Sequence, residues 1–245
     1  MGDNDLTGTI PTSLSNLKKL ERFHICCNLL TGTLPDVTNL KNITFFSVWQ
    51  NYLTGTIGEH ISEMSNIDIM HLGENKFTGT LPDVFDKFPR MTAFYAEANS
   101  FTGTIPRSLT NLKNLEVLTL GENSFQGVLP NSLGNMKTLR SLSLDRNKLS
   151  GSIPDSFKNL RAISKIDLSR NSFTGSLPKS MVNLTELMEL DLSINQISGN
   201  INFLCQPVDP DNNAFYQAEH STIQFVVLKA DCLKLVDCEC CTHCF

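Results

Sequence analysis

Ahead of Asn123 the apolar residues fall at Leu115, Leu118 and Leu120, with polar or small residues around them. The same run leads to Asn147 through Leu139, Leu142 and Leu144, and to Asn195 through Leu187, Leu190 and Leu192. The last two apolar positions of each run are two apart, the side-chain period of a β-strand. They predict a short strand with these residues turned inward. The residues six, four and two places before each asparagine then point outward. Ala96 is the weak member of an inward column otherwise held by larger apolar residues. After each asparagine come another apolar residue (Leu6, Phe77, Phe173), a glycine, and an isoleucine or leucine (Ile10, Leu81, Ile153). Two further apolar residues, such as Leu109 and Leu112, complete the turn.

The asparagines themselves keep time: Asn4, Asn28, Asn51, Asn75, Asn99, Asn123, Asn147, Asn171 and Asn195 are spaced by 24, then 23, then 24 throughout. A glycine stands four places after each one, and most copies carry a proline three places later, from Pro11 to Pro178. Gly58 and Asn202 take the proline position in two copies. One coil of this length cannot bury its own apolar side chains, so each must pack on the next, and the chain reads as a solenoid. Within it the asparagine amide, with two donors and an acceptor, is suited to pair backbone groups in a buried bend. Glycine permits a left-handed or crowded backbone, and proline fixes φ where the chain leaves that segment.

The resulting pattern, LxxLxxLxLxxNxLxGxIPxxL, resembles the plant-type leucine-rich repeat over residues 1–204, as a partial first repeat and eight strand-bearing copies. The resemblance implies an α/β-type repeat solenoid: a right-handed superhelix with a concave parallel β-sheet, short second strands near Thr-Gly-Thr, and 3-10 turns on the convex side. It also implies an extracellular or cell-surface binding domain of receptor-like type, rather than an enzyme.

The two ends differ. The chain starts just before Asn4 without the strand that should precede it, which reads as a truncated array. Residues 205–245 leave the period and form a Cys-rich cap or tail, in which Ile223–Leu228 reads as a strand that covers the last coil. Six of the eight cysteines lie here: Cys205, Cys232, Cys238, Cys240, Cys241 and Cys244. Disulfides are the favoured reading, with 15 pairings open to six cysteines. Zinc is the rival, because His243 stands inside a CxxC, but a second well-spaced CxxC is lacking. The ending also resembles the cysteine-rich tail of repeat proteins from microalgae, in which a membrane anchor tends to lie upstream. Sequons at Asn42 and Asn183 fit a secretory route, although NLT arises readily from the repeat itself.

Charge and composition exclude some classes. The net charge of −5 argues against nucleic acid, and no apolar run is long enough for a membrane helix. The start, MGDNDLTG, lacks the basic and apolar regions of a signal peptide and is a poor myristoylation site. A membrane link would therefore run through a segment missing from this sequence.

Candidate binding residues are the outward strand positions, where the copies differ. Arg22, His24, Phe45, Trp49, His71 and Tyr95, bordered by Glu97, read as one contiguous patch across four strands. Exposed tryptophan and tyrosine are typical interface anchors, so the expected partner is a protein or peptide, with a co-receptor or a carbohydrate as further candidates. No cofactor is implied. His24 and His71 are two copies apart, about 10 Å by strand spacing, too far for one metal ion, and read as lone surface histidines. Cys26 is placed on the concave face and Cys27 near the turn; adjacent cysteines rarely bridge each other, so the expectation is that one pairs with a segment missing from this sequence or that both are free. Asp167 and Asp191 share a column, with Lys165 and Arg170 expected to neutralise them, and no catalytic arrangement accompanies them. Two alternatives stand beside a receptor-like role. One is a secreted inhibitor or structural protein using the same face. The other is an ice-binding solenoid built on two regular threonine ladders, since Thr-Gly-Thr recurs in five successive copies.

Overall fold

A computed structural model of the chain describes residues 2–205, 227–230, 236–237 and 243–244. It forms two compact units, 1–126 and 127–245.

In the first unit the predicted inward and outward alternation produces five parallel strands: Arg22–His24, Phe45–Ser47, Ile69–His71, Ala93–Tyr95 and Val117–Thr119. Each pairs in register with the same position of the next coil, so Phe23, Phe46, Met70, Phe94 and Leu118 line up on the inner face. Ala96, the small inward residue, is fully buried. Behind the strands Phe77, Phe101 and Phe125 stack at centroid spacings of 6.1 and 6.2 Å, filling the core one ring per coil. The second unit repeats the scheme with Ser141–Ser143, Lys165–Asp167 and Glu189–Asp191. There Val227–Ala230 pairs parallel to Glu189–Asp191, and His243–Cys244 pairs with Lys229 and Ala230. Of the strand expected over Ile223–Leu228, residues 223–226 lie outside the described residues; Val227 and Leu228 belong to a strand that runs to Ala230 and continues the sheet beside the last repeat.

Among the described residues the connections on the far side are 3-10 turns, with no α-helix and no helix long and apolar enough to cross a membrane. Pro11, Pro130, Pro154 and Pro178 each stand just before such a turn with extended backbone, so the ring sets the entry φ.

The asparagine column does what its chemistry suggests. Asn51 Oδ1 accepts the Leu30 N–H of the preceding coil at 3.1 Å. Its Nδ2 donates to the carbonyls of Ile25, Val48 and Trp49. One amide therefore pairs backbone in two coils, which is how a buried bend avoids orphaned polar groups. A second regularity is conformational. The residue just before every ladder asparagine, from Asp3 and Cys27 to Ile194, is left-handed, with φ between 49° and 58°.

On the second-strand face of the first unit, the register is displaced by two residues per coil. Thr9 faces Thr31, Thr33 faces Thr54, and Thr80 faces Thr102. The two same-position threonine ladders expected from the sequence are therefore sheared into cross-coil pairs. Thr31, Thr54 and Thr78 each donate to a glycine carbonyl of the preceding coil, those of Gly8, Gly32 and Gly55.

Candidate functional site

Ring contacts link the outward side chains of the first unit in two groups. In the first, the Arg22 guanidinium lies 4.4 Å from the Phe45 ring centroid, and the His24 ring meets Phe45 edge-on at 5.5 Å. Arg22 and His24 are exposed and Phe45 is half-buried. Ser47, in register between His24 and His71, is buried.

The second cluster is a stack of three rings on adjacent coils. His71 is nearly parallel to Trp49, at 5.3 Å and 18°, and meets Tyr95 at 4.6 Å on its other side. Glu97 of the next coil joins the arrangement: His71 Nε2 is 3.1 Å from Glu97 Oε1, and Thr119 Oγ1 donates to Glu97 Oε2 at 2.6 Å. Burial raises the Glu97 carboxyl, but the bonds from His71 and Thr119 outweigh it and hold the group below its ordinary range. Tyr95 is pushed up by burial and by the nearby Glu97 charge. His71 is thus not the lone surface histidine its spacing from His24 suggested. A ring held between two aromatic faces and a carboxylate is a fixed element of the surface. Gly73 makes this possible, because a Cβ there would collide with the Glu97 carboxylate. Sequence reasoning gave Gly73 and Thr119 no role; the signal present was a glycine in a column where, among the strand-bearing copies, only Gly121 also lacks a side chain.

Beside these clusters an open groove of about 480 Å³ runs past the asparagine turns, lined by residues that include Asp5, Cys27, Tyr52 and Glu74. Cys26, expected on the outer face, is 5% exposed.

Residues 97–149 and 137–197 match the family described as leucine rich repeat. This is a leucine-rich repeat solenoid. Among solved structures, the repeats are similar to the Arabidopsis receptor kinase HAESA, crystallised with the peptide hormone IDA and the co-receptor SERK1. The identity is 34% and the TM-score 0.79, covering 81% of this chain and 33% of that one. They are also similar to the plant peptide hormone receptor RGFR1, in complex with RGF2, at 32% identity and a TM-score of 0.69, covering 81% and 36%. The chain spans about a third of the length of these two receptors. A plant ice-binding protein shares the fold at 22% identity and a TM-score of 0.67, covering 83% of this chain and 75% of that one. No protein of curated function matches the chain.

The repeats of the second unit present acids instead of rings. Asp167 and Asp191 are opposite each other in register. Lys165 Nζ is 2.7 Å from Glu189 Oε2 and also feels the Asp167 charge, and each aspartate accepts from a serine two residues on, Ser169 at 2.7 Å and Ser193 at 2.6 Å. The outward reach of Lys165 favours the neighbouring coil's glutamate over the shorter aspartates. Burial, helped by the charges of Asp145 and Asp191, raises the Asp167 carboxyl against the pull of Ser169.

Of the remaining expectations, Asn42 donates its amide to Lys18 O at 2.9 Å, while Asn183 is exposed at the end of the turn Lys179–Asn183. Cys232, Cys238, Cys240 and Cys241 lie outside the described residues. Of Cys205, His243 and Cys244 only the backbone is described. The disulfide and zinc readings of that segment are therefore not addressed by the structure.

Proposed function

We propose that this chain recognises a protein or peptide segment through the main-sheet face of its first unit, as part of an extracellular, receptor-like protein. One observation carries the reading: His71 fixed between Trp49 and Tyr95 on three successive coils. Rigid aromatic groups supply large contact area at little entropic cost, and such residues dominate binding hot spots. An extended segment laid across the strands would meet ring, imidazole and ring in turn, with Arg22 and His24 beyond them. Glu97 is engaged with His71 Nε2 and serves to position it. Two receptors sharing this fold at 32–34% identity are solved with ligands, one with the peptide hormone IDA and the other, a peptide hormone receptor, with RGF2, which supports the same class of ligand here. On this reading the repeats bind rather than catalyse, residues 205–245 cap them through paired cysteines, and Asn183 is the better placed of the two glycosylation sequons.

The test is selection of linear peptides from a random display library on the full chain. Wild type should enrich a consensus, and the Trp49→Ala, Tyr95→Ala double variant, shown to be folded by its circular dichroism, should fail to bind those peptides. Equal binding by both would overturn the proposal.

A second reading, an ice-binding surface, rests on the exposed cross-coil pairs Thr9–Thr31, Thr33–Thr54 and Thr80–Thr102. Thermal hysteresis that disappears on Thr33→Lys with Thr54→Lys would favour it over peptide recognition.

A further inference from the structure

Cys26 and Cys27 are free thiols whose sulfur atoms lie 3.0 Å apart. The backbone holds them there from both sides. Cys27 N–H donates to Trp49 O at 3.0 Å, and Asn28 Nδ2 donates to Cys26 O at 2.7 Å. Asp3 and Asn4 donate their N–H groups to the carbonyls of Cys26 and Cys27 from the preceding coil. Cys27 occupies the left-handed position before the ladder asparagine, at φ 55°, where other coils of this unit carry Gln50, Glu74, Ala98 and Glu122. Cys26 is buried, whereas Cys27 lies in the wall of the open groove, which gives a small reagent a path to the pair.

We propose that Cys26 and Cys27 form a thiol-pair modification site, which a peroxide closes into a disulfide between the two adjacent residues. The inference is independent of what the main-sheet face binds. In the first step one sulfur attacks the peroxide, the O–O bond breaks, and a sulfenic acid and one water result. The second sulfur then displaces the sulfenic oxygen, which leaves as a second water carrying the remaining thiol proton. Two thiols and hydrogen peroxide thus give one disulfide and two waters. The sulfurs together lose the two electrons that the peroxide oxygens gain. Burial and the hydrogen bonds with Cys26 and Asp3 push the Cys27 thiol up to about 12, so the resting form is the thiol. This makes the first step slow. It also leaves the reduced pair without the thiolate stabilisation that would oppose the disulfide once formed.

The sequence allows a direct test on the full chain. Trypsin cuts after Arg22 and after Lys41, releasing a peptide that carries Cys26 and Cys27 and no other cysteine. Reduced protein is treated with hydrogen peroxide under native conditions, its remaining thiols are blocked, and this peptide is weighed. The expected product is lighter than the reduced peptide by two hydrogen masses, bears no blocking group, and returns to the reduced mass with dithiothreitol. Recovery of the peptide with both thiols blocked, with added oxygen, or joined to a tail peptide or a second chain would overturn the proposal.

Discussion

His71 Nε2 lies 3.1 Å from Glu97 Oε1 across neighbouring coils, while the His71 ring packs against Trp49 and Tyr95. The carboxyl of Glu97 is held below its ordinary value of 4.5, so the stability it contributes is complete above about that pH and is lost as pH falls through its depressed value. Glu97→Gln keeps an acceptor for Thr119 but removes the charge. The variant should lose about 1–2 kcal/mol at neutral pH, and the gap to wild type should close as the solution is acidified. Urea unfolding across the acid range reads both, and a gap that persists at low pH would refute the assignment.

Gly73→Ala should have the same effect without touching either partner. A Cβ at this position collides with the Glu97 carboxylate, so Glu97 must swing away from His71. Because both substitutions break one contact, their costs should not add: the double variant should be less destabilised than the two single losses combined. Full additivity would mean that Gly73 matters for some other reason.

The residues of this site also mark where the sequence stops being informative. The asparagine ladder was legible because every copy repeats one solution to one problem, and Asn51 pairs the backbone groups its amide suits. The outward columns were legible as positions, and Trp49, His71 and Tyr95 do meet. The burial of Ser47, in register between His24 and His71, was not, because it depends on packing across coils that no single position encodes. The Glu97 bond needs a missing side chain on the neighbouring coil, which no property of Glu97 itself announces. Likewise the threonine pairs depend on a register displaced by two residues, set by how each coil closes rather than by the repeat period.

In the second unit the sign reverses. The Asp167 carboxyl is raised from its ordinary 3.8, chiefly by burial, with the Asp145 and Asp191 charges adding to it. A raised carboxyl lowers stability as pH climbs: the penalty is absent below the ordinary value and complete above the raised one. Asp167→Asn retains the oxygen that accepts from Ser169. It should therefore raise the unfolding midpoint at neutral pH, with the advantage vanishing in acid below about pH 4. Thermal melts at the two pH values decide it, and a variant less stable than wild type at neutral pH would show the charge to be favourable.

The Thr-Gly-Thr phrase yields a test of packing between coils. Gly103 has φ +79°, and a Cβ there would sit 2.7 Å from the Thr80 methyl of the preceding coil. Gly175 has nearly the same φ, +75°, but meets only the Ser152 Cβ, at an ordinary 3.6 Å. Gly175→Ala should therefore cost only the left-handed strain of about 1–2 kcal/mol, whereas Gly103→Ala carries that strain and the methyl clash together. Removing the methyl with Thr80→Ser should lower the cost of Gly103→Ala toward that of Gly175→Ala, giving a favourable interaction energy in the double-mutant cycle. Chemical denaturation of the wild type, the three single variants and the Gly103→Ala, Thr80→Ser pair supplies every term. If Thr80→Ser leaves the cost of Gly103→Ala unchanged, the recurring glycine answers to backbone conformation alone and the threonine methyl plays no part in selecting it.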